Sequence, residues 1–388
     1  MPRSRRKSNT AVGGVGIINP AALLLVFALF LSILGLTVLF SASLPVNDES
    51  PYLLIGKQMF FMLATFVLGL IILKIDLEWS RKLIWLGYGL CIVALVAVLI
   101  PGIGREVNGS RSWIRFGAFG FQAAEFAKIG TVFFLAHYFS LIRKETDTFW
   151  KGFVFPCFAI GLVVGLIMLQ TDLGTALIIS MVCFCLLFLA GSPLRYLIPS
   201  AVGGFGAAVF LVSHDTERWS RLTAFLDREG QKAGDAYQAH QAILSFGAGG
   251  TEGVGLGNGR QQHQFLPEAH NDFIFAIVGE ELGLVATLLV VTAFLGIFLA
   301  GMWHMRKAPN MYQYLIGWGC LLTITIQAIV NLGVVTGTLP TTGLPLPFIS
   351  SGGSNFIVMG MCVAVLLNTS FAWKTPALNQ SKRKLKEI

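Results

Sequence analysis

The chain alternates long apolar runs with short polar joints. Ten runs approach the ~20 apolar residues that a helix needs to cross a bilayer: 20–43, 54–73, 82–100, 122–141, 153–170, 173–191, 194–213, 273–300, 312–336 and 350–372. Inside lipid a helix satisfies its own backbone hydrogen bonds, so the pattern predicts an all-α polytopic membrane protein. The fifth and sixth runs are joined by "QTDLG" (170–174), which predicts a tight hairpin. The first run is too long for the apolar part of a signal peptide and lacks a cleavage site, so it reads as an uncleaved span. Two joints stand out. Residues 101–121 carry Arg105, Arg111 and Arg115, and residues 214–272 form a long amphipathic loop rich in aromatics, glycines and mixed charge. Loops of that length inside a compact domain are uncommon and tend to serve function, so this one is expected to pack over a site.

Charge gives the orientation. Lys74, Arg81 and Lys82 fall in one short loop, Arg143, Lys144 and Lys151 in another, and Arg195, Arg306 and Lys307 in two more. These loops share a side with the basic tails "PRSRRK" and "SKRKLK". Lys and Arg mark the cytoplasmic side of membrane proteins, which predicts both termini inside. The expected organisation is a cytoplasmic tail at 1–19, one membrane domain at 20–373 with outer loop 214–272, and a second cytoplasmic tail at 374–388.

Composition agrees: 55% of residues are hydrophobic and 12% charged, and mean hydropathy is +0.72, whereas a soluble chain is roughly a quarter charged. The net charge of +8 lies largely in tails and short loops, with no basic-aromatic module for nucleic acid. The six cysteines all sit in apolar runs, without CxxC spacing, and read as structural thiols.

Several polar groups interrupt the apolar runs. In "FLPEAHNDFIFAIVGEELG" (265–283), Asp272 stands at the lip of a span with Glu280 and Glu281 about two turns further in. Carboxylates at such depth need a partner, a wet cavity or a function. Asp272 suits a helix cap, a general base toward a hydroxyl, or a ligand for a divalent cation such as Mg or Mn; Glu268, four residues earlier, would share its face. Glu280 and Glu281 read as structural hydrogen-bond partners. Asp172 in "QTDLGTA" is either an N-cap or part of a polar cavity. Glu125 and Lys128, three apart, form either a self-neutralising pair or a pocket wall. Arg111 and Arg115 in "NGSRSWIRF" offer planar donors suited to a diphosphate, or attract lipid headgroups beside the interfacial Trp113. In "GLPLPFISSGGSN" (343–355), Ser350 and Ser351 could donate to an anionic headgroup where broken helix geometry lines a cavity. Four histidines fall in the long loop without zinc spacing.

In family order, "NGSRSWI", "FQAAEFAK", "QTDLGTALI", "GVGLGNGRQQHQFLPEAHNDFIFAIVGEELG" and "GTLPTTGLPLPFISSGGSN" resemble the SEDS family (shape, elongation, division and sporulation) of polytopic peptidoglycan glycosyltransferases, over nearly the whole chain. "GLGNGRQ", "LPEAH" and "LPTTGLPLPFIS" look more like the division branch, FtsW, than the elongation branch, RodA. The resemblance implies polymerisation of lipid II at the outer face of the bacterial cytoplasmic membrane, at the division site. It implies Asp272 as catalytic base and maps the family's cavity-lining polar positions to Glu125, Lys128 and Asp172; Arg111, Arg115, Glu268, His270, Ser350 and Ser351 join them as candidate substrate-binding positions. A class B penicillin-binding protein and other division proteins are the implied partners, besides lipid II and membrane lipids. This chain departs from the family pattern at Ala123, Ala124, Thr171, Asn271, Thr342, Ser351 and Asn355, while every motif carboxylate is retained. A lipid II flippase and a catalytically idle scaffold are the competing functions; the gathering of polar residues toward the outer half favours chemistry there.

Overall fold

The computed structural model describes residues 19–43, 52–107, 109–116, 119–227, 237–261, 265–266 and 269–372. Glu268 and nearly all of both expected tails lie outside these residues. The chain begins with α1 (Pro20–Ser43) and α2 (Tyr52–Lys74), then a short α3 (Leu77–Ser80) whose N-cap Asp76 accepts from the Glu78 amide. A 3-10 turn, Arg81–Leu83, leads into α4 (Ile84–Leu99). Strands β1 (Gly104–Val107), β2 (Ser110–Phe116) and β3 (Phe119–Gln122) follow, and β3 runs straight into α5 (Ala123–Leu141). Next come α6 (Phe155–Leu169), entered through a wide π-type turn, α7 (Leu173–Ala190) and α8 (Leu194–Ser213). The long joint contains α9 (Thr216–Leu226) and α10 (Tyr237–Gly249), and α11 (Ile274–Met305), α12 (Met311–Val335) and α13 (Gly353–Ala372) complete the chain.

Among the described residues nine helices are long and apolar enough to cross a membrane. The remaining run of the ten is α5, whose Glu125, Lys128 and His137 dilute its apolarity. It tolerates them because it is central and mostly buried. It packs on α12, α4 and α7. The most apolar 18-residue windows of α12 and α13 are 72% buried and that of α8 is 6% buried, so α12 and α13 are inner helices and α8 is peripheral. Leu, Val and Phe exposed on the outer helices face the apolar solvent that a bilayer supplies.

The three strands form an antiparallel sheet in the order β1-β2-β3, which the apolar pattern did not predict. Its register pairs Arg105 with Trp113, Trp113 with Gln122, and Arg115 with Gly120. Side chains alternate across a strand, so Arg111, Trp113 and Arg115 share one face while Ser112 is buried on the other.

α11 is broken within its apolar run. Gly283 takes φ 72° and ψ −168°. A Cβ there would come within 2.5 Å of the Gly253 amide nitrogen and 2.6 Å of the Thr251 carbonyl, so only glycine fits this close approach. The break lets the glycine-rich stretch 249–261 dock on α11, where Val254 and Gly255 donate to the carbonyls of Glu280 and Glu281.

Contacts sort the joints onto two ends of the bundle. At one end Arg81 donates to Ser140 and Glu78 accepts from Asn310, gathering the basic loops. At the other, Gln170 accepts from Arg111 and Ser351 donates to the carbonyl of His270.

Candidate active site

Asp272 precedes the N-terminus of α11, and its backbone is fastened from two sides. Asn331 on α12, 1% exposed, donates from Nδ2 to the Asp272 carbonyl at 2.8 Å and to the Leu344 carbonyl at 2.7 Å. Ser350 donates to the Asn271 carbonyl at 2.6 Å and accepts from the Leu346 amide at 2.7 Å. The Ser351 amide donates to the His270 carbonyl at 3.1 Å. Segments 270–272 and 344–351 are thus joined through main-chain atoms. A Cβ placed on Gly343 would lie 3.5 Å from Asp272 Oδ2, so the carboxylate faces the turn Thr342–Leu344.

That turn also meets the hairpin of α6 and α7. A Cβ on Gly174 would lie 2.7 Å from the Thr342 carbonyl, which places Thr342 against the start of α7. Asp172 caps α7 by accepting from the Thr175 amide at 3.0 Å, and its Oδ2 accepts from Gln122 Nε2 at 2.9 Å. Asp172 therefore caps α7 and also holds the Gln122 side chain. Thr171 adopts φ 62° and donates to the Gly109 carbonyl at 2.7 Å. Ser110 and the Arg111 amide donate to the Gln170 carbonyl at 2.8 and 3.2 Å, locking the sheet onto the hairpin. Arg111 and Arg115 stand on this sheet. Arg111 lies 3.9 Å from Glu106, with side chains 42% and 58% exposed; such a pair is heavily screened, leaving Arg111 available to an anion.

Glu125 and Lys128 lie beneath the same turn. Their side chains are each 2% exposed and 2.8 Å apart. Lys128 also donates to Gln327 Oε1 at 2.7 Å, and Asn355 donates to Glu125 Oε2 at 3.1 Å. Gln327 Nε2 donates to the Pro345 carbonyl at 2.9 Å. The pair is closed by hydrogen bonds, as a buried charge pair requires, and it reaches the site through Pro345 rather than through an open wall.

Glu280 and Glu281, each 1% exposed, hold the glycine-rich stretch. Glu280 Oε1 accepts from the Arg260 amide at 2.8 Å and Glu281 Oε1 from the Gly257 amide at 3.0 Å. Ser41 on α1 donates to the same Glu281 oxygen at 2.6 Å. Among the described residues no group of three or more His, Cys, Asp or Glu side chains could hold a metal ion. A cation at Asp272 would need most of its ligands from elsewhere, such as substrate phosphates.

The structure thus brings Asp272 and the start of α7, capped by Asp172, to the turn Thr342–Leu344, and ties His270 and Asn271 to Ser351 and Ser350. It puts Arg111 and Arg115 on the adjoining sheet and sets Glu125 and Lys128 below. Sequence reasoning passed over Gln327 and Asn331, one helical turn apart within an apolar span. Their spacing on one face was the available signal.

The model of the FtsW/RodA/SpoVE cell cycle protein family matches residues 21–374. This chain belongs to that family. Within it, a *Hahella chejuensis* relative named "Probable peptidoglycan glycosyltransferase FtsW" is 38% identical, over 88% of this chain and 87% of the relative. Stage V sporulation protein E of *Bacillus subtilis* is 36% identical, over 91% of this chain and 97% of its own. Among solved structures, a chain of the complex described as "Structural coordination of polymerization and crosslinking by a peptidoglycan synthase complex" superposes with a TM-score of 0.74 at 25% identity, covering 89% of this chain and 97% of that one. The crystal structure of the rod shape determining protein RodA of *Thermus thermophilus* superposes with a TM-score of 0.65 at 26% identity, covering 89% of this chain and 95% of that one. The SEDS resemblance read from the motifs and the multi-pass helical fold stand on these matches.

Proposed function

We propose that this chain is a peptidoglycan glycosyltransferase that polymerises lipid II at the outer face of the bacterial inner membrane during division. Asp272 is its general base. The observation that carries this reading is an aspartate held by its main-chain carbonyl at the start of α11, its carboxylate facing a glycine turn, in a family whose relatives are named for this activity.

Asp272 takes the proton of the acceptor sugar's 4-hydroxyl as that oxygen bonds to the anomeric carbon of the donor. The bond from that carbon to the diphosphate breaks, undecaprenyl diphosphate leaves with the electron pair, and the anomeric centre inverts. Arg111 and Arg115 offer bidentate donors to the departing diphosphate. Asp172 orders the polar rim. Glu125 and Lys128 fix the turn through Gln327 and Pro345. The synthase complex pairs polymerisation with crosslinking, which supports a class B penicillin-binding protein as partner.

Purified protein and its class B partner, given lipid II and a divalent cation, are expected to yield glycan strands on a gel. Folded Asp272→Asn is expected to yield essentially none, since a positioned base contributes about 10²–10⁴-fold. Strands from both proteins would remove Asp272 from the role. Strands from neither would favour transport or scaffolding.

A further inference from the structure

At the basic end, opposite the candidate active site, a shallow, largely open cavity of about 450 Å³ is lined by Glu78, Arg81, Lys82, Trp85 and His137. Its central cation is built in. Arg81 donates from Nη1 to Glu78 at 2.9 Å, from Nη2 to Ser140 at 2.9 Å and from Nε to His137 Nδ1 at 3.4 Å. Its guanidinium also lies 5.0 Å from the centre of the Tyr312 ring, a cation–π distance. Glu78 is held in turn by Asn310 at 2.9 Å and Gln313 at 3.3 Å. An arginine has five N–H donors, so this fixed guanidinium keeps two beyond the three committed here. Lys82 adds a second, exposed cation beside it.

The cavity adjoins an apolar flank. Trp85, 51% exposed, stands at the start of α4, and tryptophan favours the level of lipid headgroups. Leu86, Leu90 and Val93, exposed by 62%, 59% and 63%, follow on the same helix. Their i, i+4, i+7 spacing makes one stripe running away from the basic end. A phosphate beside an interfacial tryptophan and above an apolar helix stripe describes one end of a phospholipid, whereas a soluble anion would have no use for the stripe.

We propose that this cavity binds the phosphate headgroup of an anionic phospholipid of the leaflet on the basic side, its acyl chains lying along α4. Arg81 gives the oriented donors, Lys82 the second charge and Trp85 the wall at the level of the glycerol. Positively charged pockets between membrane helices on that side are suited to such headgroups. The site ties lipid composition to the corner where α3, α5 and α12 meet.

The test uses the full chain in a neutral detergent. Bound lipid is counted by native mass spectrometry with phosphatidylglycerol or phosphatidylcholine at equal concentration, and with glycerol 3-phosphate as a soluble competitor. Phosphatidylglycerol is expected to be retained over phosphatidylcholine. Lys82→Glu reverses an exposed charge and should weaken that retention roughly tenfold. Trp85→Ala should weaken it as well, and Arg195→Glu, a base outside the cavity, should leave it unchanged. Equal retention of the two lipids, or undiminished retention in Lys82→Glu, would overturn the proposal. So would an equal loss in Arg195→Glu, which would mean diffuse charge, or full displacement by glycerol 3-phosphate, which would mean a soluble anion. Activity plays no part in this readout, so it stands or falls apart from the role of Asp272.

Discussion

Asn331 donates through a single amide nitrogen to the carbonyls of both Asp272 and Leu344, at 2.8 and 2.7 Å. One buried side chain therefore sets the separation between the carboxylate-bearing segment and the turn it faces. In Asn331→Leu both carbonyls would lose this donor, at about 1–3 kcal/mol for each buried group left unsatisfied. Thermal unfolding in detergent should show the loss. Glycan synthesis should fall even in protein that remains folded, because the frame around Asp272 relaxes. Full activity in folded Asn331→Leu would show that the frame does not depend on this residue.

Glu125 and Lys128 offer a double-mutant cycle. Removing one charge, as in Lys128→Met, strands the other among apolar helices and should cost about 3–5 kcal/mol. Replacing both, with Glu125→Gln beside Lys128→Met, should recover much of that stability. If the double variant regains stability but not polymerisation, the pair does more than hold α5 to α12.

Gly343 separates geometry from bulk. Its φ is +68°, and an added methyl would meet Asp272 Oδ2 at 3.5 Å, an ordinary contact. Gly343→Ala should thus destabilise by only about 1 kcal/mol, from the left-handed backbone. Glycan synthesis should drop more than the melting temperature suggests, as the turn opposite the carboxylate shifts.

Gly283→Ala should behave otherwise. It meets main-chain atoms of Gly253 and Thr251 at 2.5–2.6 Å, which cannot rotate away. The glycine-rich stretch should come off Glu280 and Glu281. Limited proteolysis between 249 and 261 should become faster than in the unaltered chain.

Much of the fold was legible because apolar length is a local property. The run 194–213 coincides with α8, and 173–191 matches α7 to one residue. Asp272 was legible for a similar reason, since a polar stretch meets an apolar one there. The three-stranded sheet was not, because its arginines drew attention to charge while the strand signal lay in the alternation of "SRSWIRF" and the glycines flanking it. α10 was hidden in a joint whose apolar face is spent on packing against α11. Asn331 could be noticed with Gln327 as a polar pair in an apolar span, but its role could not, because its partner in the clamp lies 59 residues away. The partners of Glu125 and Lys128 were not legible along α5, because Gln327 and Asn355, which close the pair, come from α12 and α13.

His270, Asn271 and Asp272 are each secured by their carbonyl oxygens. Carbonyls are the same in every amino acid, so this anchorage is blind to what the sequence writes at 270 and 271. The side chains at 270 and 271 can change while the catalytic candidate keeps its place. Drift beside a carboxylate then alters what the substrate touches without moving where the carboxylate stands, and a lineage can retune its specificity at this rim one substitution at a time.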